Sequence, residues 1–198
     1  MSKLPATPRY VVVAGPAEPK AVLLIENSTT YEEAVRAGLD KSVALIAAYG
    51  YGLNMMTDSA AGWALVESLT QGRCEVLSRS GQAHRLTNLL EHPNLYFWGD
   101  LDREGLRIAM ALRAKLPHLK LSAFYQPMAD LARNKTTSHP YALFCGKANQ
   151  QAWRHTADKQ FDALASVCAL RAVDQEAVNL SVFAGLVTQA LTLAPEEE

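Results

Sequence analysis

Two apolar runs in this chain end abruptly in acid. Ala21-Val-Leu-Leu-Ile25 leads straight into Glu26-Asn27, and Leu95-Tyr-Phe-Trp98 leads into Gly99-Asp100-Leu-Asp102-Arg-Glu-Gly105. Neither run alternates polar with apolar residues, so each suits a strand buried on both faces, as in the centre of a parallel sheet. A sheet that places both runs side by side would collect three carboxylates, Glu26, Asp100 and Asp102, at one edge. Crowded carboxylates repel, and such a group is tolerable mainly around a hard cation such as Mg²⁺. The pattern points to metal-assisted phosphate chemistry.

The 198 residues, 49% of them hydrophobic, are enough for one α/β domain with a real core, or for a domain with a small appendage. No apolar run approaches the ~20 residues of a membrane helix, and the N-terminus lacks a signal-peptide pattern. Cys74, Cys145 and Cys168 are far apart and form no metal-ligand motif. Buried thiols in a reducing cytoplasm are expected. The net charge of −1 is low for a protein that grips nucleic acid alone. Local basic clusters exist at Arg73, Arg79, His84 and Arg85, and at Arg103, Arg107, Arg113, Lys115 and Lys120; solvated faces are favoured over a phosphate track.

Along the chain, strand and helix patterns alternate. Tyr10-Val-Val-Val13 is a short strand or extended segment closed by Pro16 and Pro19. After Ile25, Thr30 and Glu33 have capping-box spacing, and Gly38 is placed to stop the helix. Val43–Ala48 reads as a strand ending in the turn Tyr49-Gly-Tyr-Gly52, and Ser59 caps a helix to about Leu69. Cys74–Leu77 reads as a short strand before a Ser78–Gly81 loop, followed by a helix over Gln82–Leu90. After the strand at Leu95–Trp98, a helix over Glu104–Leu116 carries Ile108, Leu112 and Leu116 on one stripe. Leu119–Tyr125 is the last clear strand. Beyond it, Phe161, Leu164, Val167 and Leu170 recur at three-residue spacing, and Val178–Leu193 is strongly apolar. Trp63, Trp98 and Trp153 are expected to be packing residues.

The expected fold is a mostly parallel, Rossmann-like sheet of about four to five strands flanked by helices, with C-terminal helices. Residues 1–20 form an extended N-terminal segment, 21–125 the α/β core, and 126–194 a mainly helical portion packed on it. Ligands of such sheets sit beyond the carboxyl ends of the strands, where Glu26 and Asp100 fall. Gly99 lets the backbone bend, and Gly105 lets the next helix begin close to the site. The structural alternative gives Asp100 to a turn, Asp102 to a helix cap and Glu26 to a salt bridge. Lys135, Lys147 and the five histidines have no motif around them and read as surface positions.

Glu after a first core strand, then a later strand ending in Asp-x-Asp-x-x-Gly, resembles the Toprim domain of topoisomerases, bacterial primases, Spo11-type recombination proteins and several nucleases. The finer resemblance is to the C-terminal nuclease domain of the Wadjet anti-plasmid subunit JetD and its relatives. It is carried by Ile25-Glu26-Asn27 and by Tyr96-Phe-Trp-Gly-Asp100-Leu-Asp102-Arg-Glu-Gly105-Leu-Arg-Ile108. Asp174-Gln175-Glu176 is similar to a Gln-Glu element near the end of such domains, or is an exposed helix face.

The resemblance implies Mg²⁺- or Mn²⁺-dependent breakage of DNA phosphodiesters. Asp100 and Asp102 would hold the metal, and Glu26 would act as a ligand or as general base and acid. Topoisomerases of this class carry a nucleophilic tyrosine on a separate winged-helix domain that is not evident here, so a hydrolytic nuclease fits better. Residues 1–20 stand where full-length relatives carry a long region for partner binding and dimerisation. Binding to DNA is therefore expected to need other subunits of a defence or DNA-processing complex, or a second copy of the chain. The competing expectations are an idle Toprim-fold module that binds DNA or a partner and, more remotely, a phosphatase of the haloacid-dehalogenase type. That phosphatase type places its Asp-x-Asp after the first core strand.

Overall fold

Six strands build the central sheet of the computed structural model, which describes residues 10–47, 75–81, 85–141 and 150–192. They are β1 (Tyr10–Gly15), β2 (Val22–Ile25), β3 (Ala44–Ala47), β4 (Glu75–Gly81), β5 (Leu95–Trp98) and β6 (Lys120–Leu121), in the order β4-β1-β3-β2-β5-β6. All neighbours pair in parallel except β1 and β3, which are antiparallel. The sheet is therefore α/β and mostly parallel as expected, but larger than four to five strands. The extra breadth comes from Tyr10–Gly15, which is an interior strand of the sheet.

Every residue of β2, β3 and β5 is buried. Their unbroken apolar sequence is what a strand needs when helices cover both faces. At about 1.5–3 kcal/mol for each fully buried Leu, Ile or Phe, these three strands form the main stabilising element of the fold. Helices α1 (Ser28–Arg36), α2 (Leu86–Leu90), α3 (Arg103–Lys115), α4 (Tyr125–Leu131), α5 (Lys159–Val167) and α6 (Leu180–Phe183) flank the sheet. A two-stranded ribbon, β7 (His139–Pro140) with β8 (Arg171–Ala172), lies in the C-terminal portion. Among the described residues, no helix is long and apolar enough to cross a membrane.

Several local expectations are corrected. Helix α1 is capped by Asn27, not by a Thr30–Glu33 box: the Asn27 Oδ1 accepts the N–H groups of Thr29 (2.8 Å) and Thr30 (3.4 Å). Thr30 is then inside the helix and buried. Gly38 does stop the helix, with φ 76° and its N–H on the Val35 carbonyl. Strand β4 runs through Gly81 because Ser78 and Ser80 continue the pairing with β1 across a bulge at Val13/Ala14. An exposed edge strand needs no apolar face, so its polar sequence read as a loop. Within the described residues the next helix begins only at Leu86. Strand β6 stops at Leu121, and the apolar stretch continues as a turn into α4, where Phe124 stacks on Trp98 with centroids 4.4 Å apart. Tyr49–Gly52, the Ser59–Leu69 helix, Trp63, Cys74 and Cys145 lie outside the described residues.

The C-terminal portion is joined to the sheet by the isolated bridges Leu101↔Val173 and Ser122↔Ala190. It is also fastened by arginines of α3. Arg103 donates to the Ala169 carbonyl (2.8 Å) and lies over the Tyr141 ring. Arg107 donates to the carbonyls of Gln151 (2.6 Å) and Ala152 (3.1 Å). Arg113 pairs with Asp158 (2.5 Å) and lies over Phe161. These three cations are structural clamps rather than a solvated face.

The three-residue stripe 161–170 is also corrected. Residues three apart are 300° apart around a helix, so the stripe drifts off one face after two steps. Phe161, Leu164, Ala165 and Cys168 are buried, whereas Val167 is partly open and Leu170 is 82% exposed. Leu164→Ala should therefore lower unfolding free energy by about 2–4 kcal/mol, and Leu170→Ala by less than about 0.5 kcal/mol. Urea denaturation of the two variants measures the contrast, and equal costs would contradict the assigned helix face.

Candidate functional site

The site begins with strand register. Val22, Leu23, Leu24 and Ile25 of β2 lie opposite Leu95, Tyr96, Phe97 and Trp98 of β5, so both strands end at the same level. The Glu26 N–H adds one further bond to the Trp98 carbonyl, at 3.0 Å. From β2 the chain crosses through α1 to β3 on one side; from β5 it crosses through α3 to β6 on the other. The loops after β2 and β5 therefore diverge and leave a crevice at the topological switch point, where open α/β sheets bind ligands.

Glu26 and Asp100 meet in this crevice. Glu26 is buried (8% exposed), and its Oε2 accepts the Asp100 N–H at 3.3 Å. Gly99 makes the approach feasible, since a Cβ there would stand 2.3 Å from Oε2 and 2.9 Å from the Phe97 ring. The Asp100 Oδ1 accepts the Gln175 N–H at 3.0 Å.

Asp102 is placed differently. It is 3% exposed and caps α3, its Oδ1 accepting the N–H groups of Glu104 (3.0 Å) and Gly105 (2.8 Å). The helix starts at Arg103, one residue earlier than its sequence suggests. The second oxygen, Oδ2, accepts the Gln150 amide at 3.0 Å, while the Gln150 Oε1 accepts the Glu104 N–H at 3.2 Å. Gly105 brings the helix start against the strand end: a Cβ there would lie 2.3 Å from the Asp100 carbonyl oxygen.

Two residues that sequence reasoning missed complete the site. Tyr125, fully buried at the start of α4, accepts the Gly99 N–H on its phenol oxygen at 2.9 Å. Burial, then the negative charge of Glu26, pushes the phenol well above its usual pKa, and Asp100 and Asp102 add to the effect against the opposing pull of the Gly99 N–H. The phenol stays protonated and senses all three acids. Gln150 is the second. Neither carries a sequence motif; Tyr125 was concealed at the end of an apolar run read as strand. Gln175, which sequence left between a site element and an exposed face, is fully buried against both strand ends.

The expected bystanders serve elsewhere. His92, His118, His139 and His155 contact Pro19, Leu90, Asp174 and Asp162, Lys135 is exposed, and His84 and Lys147 lie outside the described residues. Among the described residues, no three His, Cys, Asp or Glu side chains are grouped so as to hold a metal between them. Carboxylate oxygens from Glu26 and Asp100 nonetheless suit a hard cation, and Mg²⁺ is usually held by one or two carboxylates with waters and substrate phosphates completing its shell.

A mostly parallel sheet with acids gathered at its switch point defines a Rossmann-like α/β protein of Toprim type. The family model described as Wadjet protein JetD, C-terminal, matches residues 5–183, and the chain belongs to that family. Membership associates it with Wadjet defence. No curated protein matches the chain.

Gly105→Ala separates the site geometry from helix propensity. In an ordinary helix this change stabilises by about 1 kcal/mol. Here it should destabilise by about 1–3 kcal/mol, because the new methyl meets main chain that cannot step aside. Thermal or urea unfolding decides the sign, and a gain in stability would contradict the close approach.

Proposed function

We propose that this chain is a metal-dependent nuclease that hydrolyses DNA phosphodiesters within a Wadjet-type complex. The observation that carries the reading is the convergence of Glu26 and Asp100 at the switch point between β2 and β5. Glu26, Asp100 and Asp102 would hold Mg²⁺ or Mn²⁺. A cation so held would polarise the phosphoryl oxygen and lower the pKa of an attacking water.

The chain's own groups suit hydrolysis. Glu26 is shielded and would serve as the general base, its Oε2 on the Asp100 N–H. The Asp102 Oδ2 could accept a cation if the Gln150 amide gave way, while Oδ1 keeps the helix cap, since the two oxygens have separate partners. Tyr125 is protonated, fully buried and accepts the Gly99 N–H, which suits a structural role and not an attacking nucleophile. Water is then the nucleophile, as in a nuclease and unlike a strand-passing enzyme.

Grip on DNA is assigned to partners. The net charge is −1, and Arg103, Arg107 and Arg113 are committed to internal contacts. Other subunits of the complex, or a second copy of the chain, would supply the cationic surface. The second reading, a catalytically idle module that binds DNA or a partner, is favoured by the engagement of both Asp102 oxygens with protein groups.

Nicking of supercoiled plasmid separates the two. With partner subunits present, cleavage should require Mg²⁺ or Mn²⁺ and stop with chelator. Glu26→Ala and Asp100→Ala should each lower it by about 100-fold or more, the scale for losing one key electrostatic group. DNA or partner binding without metal-dependent cleavage would establish the idle module instead.

A further inference from the structure

Gln175 is fully buried, and both ends of its side-chain amide bond at the ends of the two strands that form the site. Its side-chain Nε2 donates to the Trp98 carbonyl at 3.0 Å, at the end of β5. Its Oε1 accepts the Asn27 N–H at 2.9 Å, just past β2. Its own backbone N–H donates to the Asp100 Oδ1 at 3.0 Å. Beside it, the Asn27 Nδ2 donates to the Glu176 Oε1 at 2.7 Å. The segment is pinned in place two residues earlier, where Leu101 and Val173 exchange backbone bonds at 2.9 and 3.2 Å.

One side-chain amide therefore spans the ends of β2 and β5, and by fixing the segment it places the Gln175 backbone N–H against the Asp100 carboxylate. An apolar residue of the same length would fill the space but leave the Asn27 N–H without this acceptor and remove one of the two donors on the Trp98 carbonyl. Burial makes that loss costly, so the loops carrying Glu26 and Asp100 would be expected to shift apart.

We propose that Gln175 is a positioning residue: by latching the ends of β2 and β5 and holding Asp100, it sets the separation of the acid pair that receives the divalent cation. This rests on the metal-site reading above and extends it to a side chain from the C-terminal segment. It acts through Asp100 and Glu26 and touches neither cation nor substrate. Groups that orient metal ligands from outside the coordination shell commonly change metal affinity by about 10–100-fold when removed.

The test is Mn²⁺ uptake by the full 198-residue chain, followed by electron paramagnetic resonance of the free ion. Gln175→Met keeps the length and neutrality of the side chain but has no amide. It should bind Mn²⁺ about 10–100-fold more weakly than the wild type. Leu164→Ala, which loosens the core at α5 and touches neither the Gln175 amide nor its partners, should bind as the wild type does, which separates positioning from general loss of stability. Gln175→Asn keeps the amide one methylene short of spanning both strand ends, should also weaken uptake, and serves where the Met variant does not fold. Wild-type affinity in the folded Met or Asn variant, or an equal loss in Leu164→Ala, would overturn the role of Gln175 and leave the metal site standing. No uptake by the wild type would overturn the metal site itself, and the role of Gln175 with it.

Discussion

The parallel pairing of β2 with β5 is the constraint on which the site depends. Sequence puts more than seventy residues between Ile25 and Trp98, yet the ladder sets them directly opposite. Because both strands end at one level, each hands its next residues to the same crevice. The backbone bond from Glu26 to Trp98 then fixes where the first acid leaves the sheet. A one-residue slip would turn every side chain of the strand to the other face and send Glu26 away from Asp100. Continuous burial on both faces makes an alternative register costly. The same apolar runs that stabilise the core therefore determine which residues meet at its edge.

Around that pair, polar groups from distant segments close the crevice. Gln150 bridges the cap of α3, Gln175 spans two strand ends, and Tyr125 supports Gly99 from beneath. Arg103, Arg107 and Arg113 draw the C-terminal portion over α3 through backbone carbonyls, an aspartate and two aromatic rings. Guanidinium suits this role because its planar fork meets several acceptors at once. The family match extends from residue 5 to residue 183, across both the sheet and this overlying portion.

Glu26 and Asp100 were legible in sequence because a charged residue after an unbroken apolar strand is rare without a reason, and register does the rest. The strands β2, β3 and β5 were legible for the same reason: full burial leaves one kind of side chain. Where burial is partial the signal faded. The polar edge strand β4 looked like a loop, and the apolar Leu119–Tyr125 run concealed a turn and a helix start. Gln150 and Tyr125 were invisible because an amide and a phenol act here through single hydrogen bonds across long sequence separations, which impose no local pattern. Asp102 serves as the helix cap that its position after a strand allows, with its second oxygen on the Gln150 amide.

A crystal structure of the full chain soaked in Mn²⁺, with data collected for anomalous scattering, tests the central claim most directly. The expected result is a Mn²⁺ peak in the crevice between the β2 and β5 ends, with oxygens of Glu26 and Asp100 at direct or water-bridged distance. A Mn²⁺ peak elsewhere with this crevice empty, or Glu26 turned away from Asp100 and paired with a cationic side chain, would contradict it.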